Sequence, residues 1–79
     1  MHVYLLRSVA QPTKMYVGVT GDFARRFAEH NDGLCPSTFR FRPWRCVARI
    51  WFDDPERARQ FESYLKTGSG REFARRHLW

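Results

Sequence analysis

Two short runs of β-branched and aromatic residues, His2 to Leu6 (HVYLL) and Met15 to Val19 (MYVGV), are separated by one loop carrying Gln11-Pro12-Thr13. Each run has the composition of a strand. A single short loop between two strands pairs them antiparallel, as a hairpin. That hairpin constrains everything after it, because a chain of 79 residues must complete the sheet and cover both of its faces with what remains. On a period of two, Tyr4 and Leu6 share one face of the first strand, and Tyr16 and Gly18 share one face of the second. Glycine weakens a strand interior, so Gly18 marks a place where something approaches the backbone closely.

Asp22 suits the N-cap of a helix running to about Asn31, with Asp32-Gly33 ending it. Its buried stripe reads as Phe23, Ala24, Phe27 and Ala28, with Arg26 and His30 one turn apart on the flank. Gly33 to Pro43 reads as a loop. Trp44 to Phe52 alternates as a third strand, with Cys46, Ala48, Ile50 and Phe52 on one face and Arg45, Val47, Arg49 and Trp51 on the other. Asp53-Asp54-Pro55 places acid at a cap and proline in a first turn, a helix start. This helix runs to about Lys66, burying Ala58, Phe61 and Leu65, and Gly68 reads as its stop. Ser69-Gly70-Arg71-Glu72 fits a capping box that opens a last helix, with Phe73, Ala74 and Leu78 inward. The order β-β-α-β-α-α describes an α+β domain over residues 1–79, with a small antiparallel sheet flanked by helices.

Composition narrows the partner. A chain this short buries only about 60% of the surface its unfolded form exposes, but seven Phe, three Trp and three Tyr supply a core. The net charge is +6, and twelve of the fourteen cations are arginine. The planar guanidinium suits bidentate contact with phosphate and stacking on bases, so a polyanion such as nucleic acid is expected. Cys35 and Cys46 form no C-x-x-C pair, which argues against zinc and for reduced thiols. No apolar run is long enough to span a membrane. A soluble, cytoplasmic protein is the expectation.

Glu62 is anomalous. Helical spacing puts it roughly 40° from Ala58 and 60° from Leu65 around the axis, at the edge of the buried stripe. Carboxylates are rarely buried unless paired or bound to a metal. A salt bridge to an arginine and a ligand for Mg²⁺ are both open, since that ion is content with one carboxylate, waters and substrate oxygens. Arg26 and His30 together offer a phosphate grip and a proton carrier on one helix surface. Tyr4 and Tyr16 lie on adjacent strands, on faces that can coincide.

Jointly, these spacings resemble the GIY-YIG nuclease superfamily. The resemblance rests on Tyr4 in His2-Val3-Tyr4, on Tyr16-Val17-Gly18, on Arg26 ten residues after Tyr16, on His30 four later, and on Glu62 in the next long helix. Its most specific stretch is Tyr16 to Asn31, and it covers essentially the whole chain. Two positions depart: Gly-Ile of the first signature is His2-Val3 here, and Ile of the second is Val17.

The resemblance implies a three-stranded sheet with helices and a divalent-metal-dependent endonuclease that hydrolyses phosphodiester bonds in DNA. Glu62 would hold one Mg²⁺ or Mn²⁺, Arg26 would clamp the phosphate, and Tyr4 would be the general base assisted by His30. Tyr16 would orient water or phosphate. Ser69 and His77 are candidates for a further polar residue on the last helix. The alternative is a non-catalytic nucleic-acid-binding module on the same scaffold. Arg40, Arg42 and Arg45 interleave with Phe39, Phe41 and Trp44, either as in grooves that stack bases or as a loop that docks its rings on the core. Lys66, Ser69 and Arg71 surround a helix start suited to phosphate. Single-stranded or branched DNA is the expected substrate, with RNA a second nucleic acid to test. Shape, a homodimer or a partner protein would supply specificity.

Overall fold

The computed structural model describes residues 1–79. Three strands, β1 (His2–Ser8), β2 (Met15–Thr20) and β3 (Trp44–Trp51), form one antiparallel sheet in the order β2-β1-β3. Helix α1 (Phe23–Asn31) follows the hairpin, a 3₁₀ turn covers Phe39–Phe41, and α2 (Pro55–Leu65) and α3 (Gly68–His77) close the chain. The observed order is the β-β-α-β-α-α expected from sequence. No helix is long and apolar enough to cross a membrane.

Because β1 is central, both of its faces are covered, and they are covered differently. Val3 and Leu5 are fully buried with Ala58, Leu65 and Ala74 of α2 and α3. Tyr4 and Leu6 are buried with Trp44, against Phe23 and Phe27 of α1. Alternation along one strand thus builds two cores, one apolar and one mixed.

The helix starts follow their local signals. The Asp22 side chain accepts from the Arg25 N–H at 3.1 Å, and Asp54 accepts from the Glu56 N–H at 2.9 Å with Pro55 in the first turn. Carboxylates there satisfy N–H groups that have no partner inside the helix.

Several sequence expectations need correction. On α1, Ala24 and Ala28 are exposed, and the sheet-facing positions are Phe23, Arg26, Phe27 and His30. Among these His30 alone is fully buried. On β3, the register slips between Leu5 and Leu6: Leu5 opposes Ala48, but Leu6 opposes Cys46. The extra residue, Val47, breaks the period of two, so Cys46 joins Tyr4 and Leu6 rather than the apolar face.

The cap of α3 is Thr67, whose hydroxyl accepts from the Gly70 N–H at 3.1 Å. Gly68 is therefore the first residue of α3 rather than a stop, and Ser69 is not its cap. Glu72 turns instead to Arg75 and Arg76. Gly70 is buried, and a Cβ there would run into the Tyr64 carbonyl. That close approach sets the α2–α3 corner. Phe73 is 37% exposed, leaving Ala74 as the inward residue of α3.

Candidate active site

Four of the expected residues meet on the α1 face of the sheet. Tyr4 stands opposite Gly18 in the β1–β2 register. A Cβ on Gly18 would overlap the Tyr4 hydroxyl and crowd the Tyr16 ring at 3.0 Å. Glycine at this position is what lets both phenols lie over the strand. The Tyr4 and Tyr16 ring centroids are 6.2 Å apart, and the His30 ring lies 5.7 Å from Tyr4 and 4.9 Å from Tyr16.

The central contact is between the Tyr4 hydroxyl and His30 Nε2, 2.9 Å apart and buried. On its other side His30 Nδ1 lies 2.8 Å from Thr38 Oγ1. With the Thr38 hydroxyl hydrogen turned to the Cys35 carbonyl, 3.4 Å away, Thr38 Oγ1 is the acceptor and Nδ1 carries the imidazole proton, the tautomer that opens Nε2 to Tyr4. Nε2 is then the free base, and it accepts the Tyr4 O–H. Burial, and then the Arg26 charge, hold His30 below its ordinary pKa, which keeps the ring neutral and ready for a proton.

The same environment acts on the phenol. Burial and the neighbouring Tyr16 push Tyr4 up to about 12, against a partial opposing pull from Arg26. The Arg26 side chain is 37% exposed; its Nη1 donates to Glu29 at 3.0 Å and its Nη2 to Cys35 Sγ at 3.6 Å. It is held from behind with part of the guanidinium still open, the posture of a residue that receives an anion.

Glu62 is not joined to these four. Its carboxylate accepts from Lys66 Nζ at 3.0 Å, one turn further along α2, and the side chain is 16% exposed. The salt bridge that the sequence allowed is therefore made with a lysine rather than an arginine. Helix α2 covers the opposite face of the sheet beneath β1 and β2, and the one side-chain partner of Glu62 is Lys66 of its own helix. No group of three or more His, Cys, Asp or Glu stands close enough to hold a metal by itself. What remains is a single carboxylate with one oxygen uncommitted, a donor set that fits only an open site completed by water and substrate oxygens.

The outlying candidates are dispersed. Trp44 is only 4% exposed and its indole N–H donates to the Thr38 carbonyl at 2.9 Å. It is a core residue and cannot stack on a base. Arg40 lies over the exposed Phe39 ring at 5.9 Å, Arg42 donates to the Phe39 carbonyl at 2.8 Å, and Arg45 is exposed on β3. Lys66 and Arg71 line a groove beside β2, and Ser69 is exposed on α3. His77 is exposed against Phe73, 4.9 Å away.

Three residues escaped the sequence reading. Thr38 orients His30, and Glu29 holds Arg26. Arg49 stands over the Phe23 ring at 4.7 Å and opposes Tyr4 across the sheet. Glu29 is three residues from Arg26 on one helix, a spacing visible in the sequence. Thr38 lies in a loop and gives no local signal.

The chain belongs to the GIY-YIG family: residues 1–76 match its GIY-YIG catalytic domain. It is also similar to named proteins. A match of 43% identity over 65 residues covers 75% of this chain and 15% of the structure-specific endonuclease subunit SLX1 of Paracoccidioides brasiliensis (strain Pb03). Two others, each over 71 residues and 81% of the chain, are the structure-specific endonuclease subunits SLX1 of Meyerozyma guilliermondii (39% identity, 24% of the relative) and Debaryomyces hansenii (38%, 20%). The chain thus spans less than a quarter of the length of these relatives. No solved structure matches it significantly.

Proposed function

We propose that this chain is an endonuclease domain that hydrolyses phosphodiester bonds in branched or single-stranded DNA, with Tyr4 as the general base. The observation that carries this reading is the buried pair of Tyr4 hydroxyl and neutral His30 Nε2 at 2.9 Å. In water a phenol of pKa near 10 is a poor base at neutral pH. Here its proton has a destination. As a water molecule gives a proton to the Tyr4 oxygen, the phenolic proton passes to Nε2, and the resulting hydroxide attacks phosphorus. Tyr4 ends neutral and His30 ends as imidazolium, whose positive charge offsets the negative charge that the hydroxide carries to phosphorus.

Arg26 offers its open guanidinium edge to the phosphoryl oxygens, where charge builds up in the transition state. Tyr16, in contact with His30, orients the water. Glu62 would hold Mg²⁺ or Mn²⁺, which when bound neutralises charge on the phosphate and its leaving oxygen. The relatives are named as subunits. We take from this that a partner protein, or a second copy of this chain, adds substrate specificity to the catalytic domain.

The test is cleavage of labelled single-stranded, duplex and branched DNA, and of RNA, in Mg²⁺, Mn²⁺ or EDTA. Tyr4→Phe and Glu62→Gln are each expected to cost at least ~10²-fold in rate with folding intact, the scale of one acid–base or charge-stabilising group. Equal rates for wild type and Glu62→Gln would remove the metal-ligand role. A second reading, a non-catalytic nucleic-acid-binding module, draws on the Glu62–Lys66 pair, which occupies the carboxylate. It predicts salt-sensitive binding with no cleavage of any substrate.

A further inference from the structure

A groove of about 670 Å³ runs beside the edge strand β2, walled by β2, the end of α2, α3 and the C-terminal Trp79. Its side-chain charge is one-sided: Arg7, Lys66, Arg71 and Arg75 line it and no Asp or Glu does. Two of these cations are already neutralised within their own helices, Lys66 by Glu62 and Arg75 by Glu72. Arg7 and Arg71 have no acidic partner. Arg7 Nε is moreover buried without any hydrogen-bond partner, so the guanidinium can meet an anion only through its outer nitrogens. Between the cations the lining is apolar. Trp79 lies under the Arg7 guanidinium at 5.5 Å, with Met15 beside them.

The groove borders the candidate site at Tyr16, whose ring touches His30 and which also lines the groove. Cationic edges over an apolar floor match a nucleotide whose phosphate and base part company. Only an unpaired strand offers that, since a duplex keeps its base faces stacked inside. Resting on the endonuclease reading above, we propose that this groove holds the single-stranded part of the substrate next to the cleavage site. Arg7 and Arg71 take phosphates, and Trp79 with Met15 takes a base. The strand runs from Tyr16 around the edge of β2 towards α3, passing Lys66, the ion-pair partner of Glu62.

The test is fluorescence anisotropy of a labelled oligothymidine with the full chain in EDTA, so that binding is read without cleavage. Arg7→Gln and Arg71→Gln should each weaken binding about 5- to 10-fold and lower the slope of log affinity against log salt by roughly 0.7, the value for one phosphate contact on a single strand. Arg57→Gln, the same charge change on exposed α2 outside the groove, should cost less than twofold. Trp79→Ala should weaken oligothymidine about tenfold, one lost stacking contact, but leave an abasic strand of equal length unaffected.

Arg71 is exposed, so its variant decides the matter if thermal melting shows Arg7→Gln to be unfolded. Binding by Arg71→Gln equal to that of Arg57→Gln overturns the proposal. So does displacement of the oligonucleotide by poly-glutamate at equal charge concentration, which would mark an acidic protein partner. An inactive wild type that still shows the groove pattern would sink the catalytic reading and keep the groove. An active enzyme indifferent to Arg7 and Arg71 would do the reverse.

Discussion

The two faces of β1 are one residue apart in sequence and opposite in character. Beneath the sheet, Val3 and Leu5 pack on Ala58, Leu65 and Ala74. Above it, Tyr4 is buried beside His30 and Thr38, and each polar atom must find a partner because an unpaired one costs about 1–3 kcal/mol. They do so in a chain: Tyr4 to His30, His30 to Thr38, Thr38 to the Cys35 carbonyl. One face supplies stability. The other spends some of it on a fixed tautomer and a displaced pKa, the conditions that proton transfer needs.

The contrast can be broken first at its apolar end. Leu5→Ala should remove about 2–5 kcal/mol, the usual cost of truncating a buried leucine. That is a large share of the roughly 5–15 kcal/mol typical of a folded domain. Urea denaturation followed by circular dichroism measures it, and cleavage per folded molecule should hardly change. A loss of rate without a loss of stability would mean that the faces are not separable.

The converse test is Gly18→Ala. Its methyl group would displace the Tyr4 hydroxyl and the Tyr16 ring, so cleavage should fall about 10²-fold, the scale of one misplaced acid–base group. Stability should drop less than for Leu5→Ala. An active Gly18→Ala would show that Tyr4 need not sit where it does.

The smallest and most specific effect is with pH. Tyr4 titrates near 12 in the fold against an ordinary 10.0. A raised pKa means that the folded state holds the proton more tightly. The stability contributed is therefore complete below about pH 10 and is lost as pH rises towards 12. Tyr4→Phe should flatten this alkaline fall, as thermal melting across pH 9–12 would show. The cleavage rate should rise as pH climbs through the acidic range in which His30, held below its ordinary pKa, loses its proton, and then level off, because the relay needs Nε2 free. A rate that does not fall in acid would exclude His30 as the group that takes the phenolic proton.

Much of this architecture can be read locally, and the reasons are physical. Asp22, Asp54 and Pro55 act on the backbone within three residues of themselves, so the starts of α1 and α2 are visible in short windows. Gly18 announces a close approach before anything shows what approaches. Where two local signals overlapped, tertiary contact chose between them. Thr67 and Ser69 are both able to cap α3, and the tight seat of Gly70 against Tyr64 favours the earlier start. The bulge at Val47 depends on how β3 meets β1, and no property of β3 alone reports it. The partial burial of Arg26 and the exposure of Ala24 and Ala28 depend on how α1 is rotated over the sheet.

The spacing of Tyr4, Tyr16, Arg26 and His30 was set by the chain's own periodicities, two along strands and 3.6 along a helix. Those periodicities suffice to bring the four to one face once the hairpin closes and α1 folds back. Thr38 as the partner of His30, Lys66 as the partner of Glu62, and the groove that joins Tyr16 to α3 came from packing between segments distant in the chain. Such contacts are chosen by shape and by the need to satisfy buried polar groups, and neither is written in a local pattern of residues.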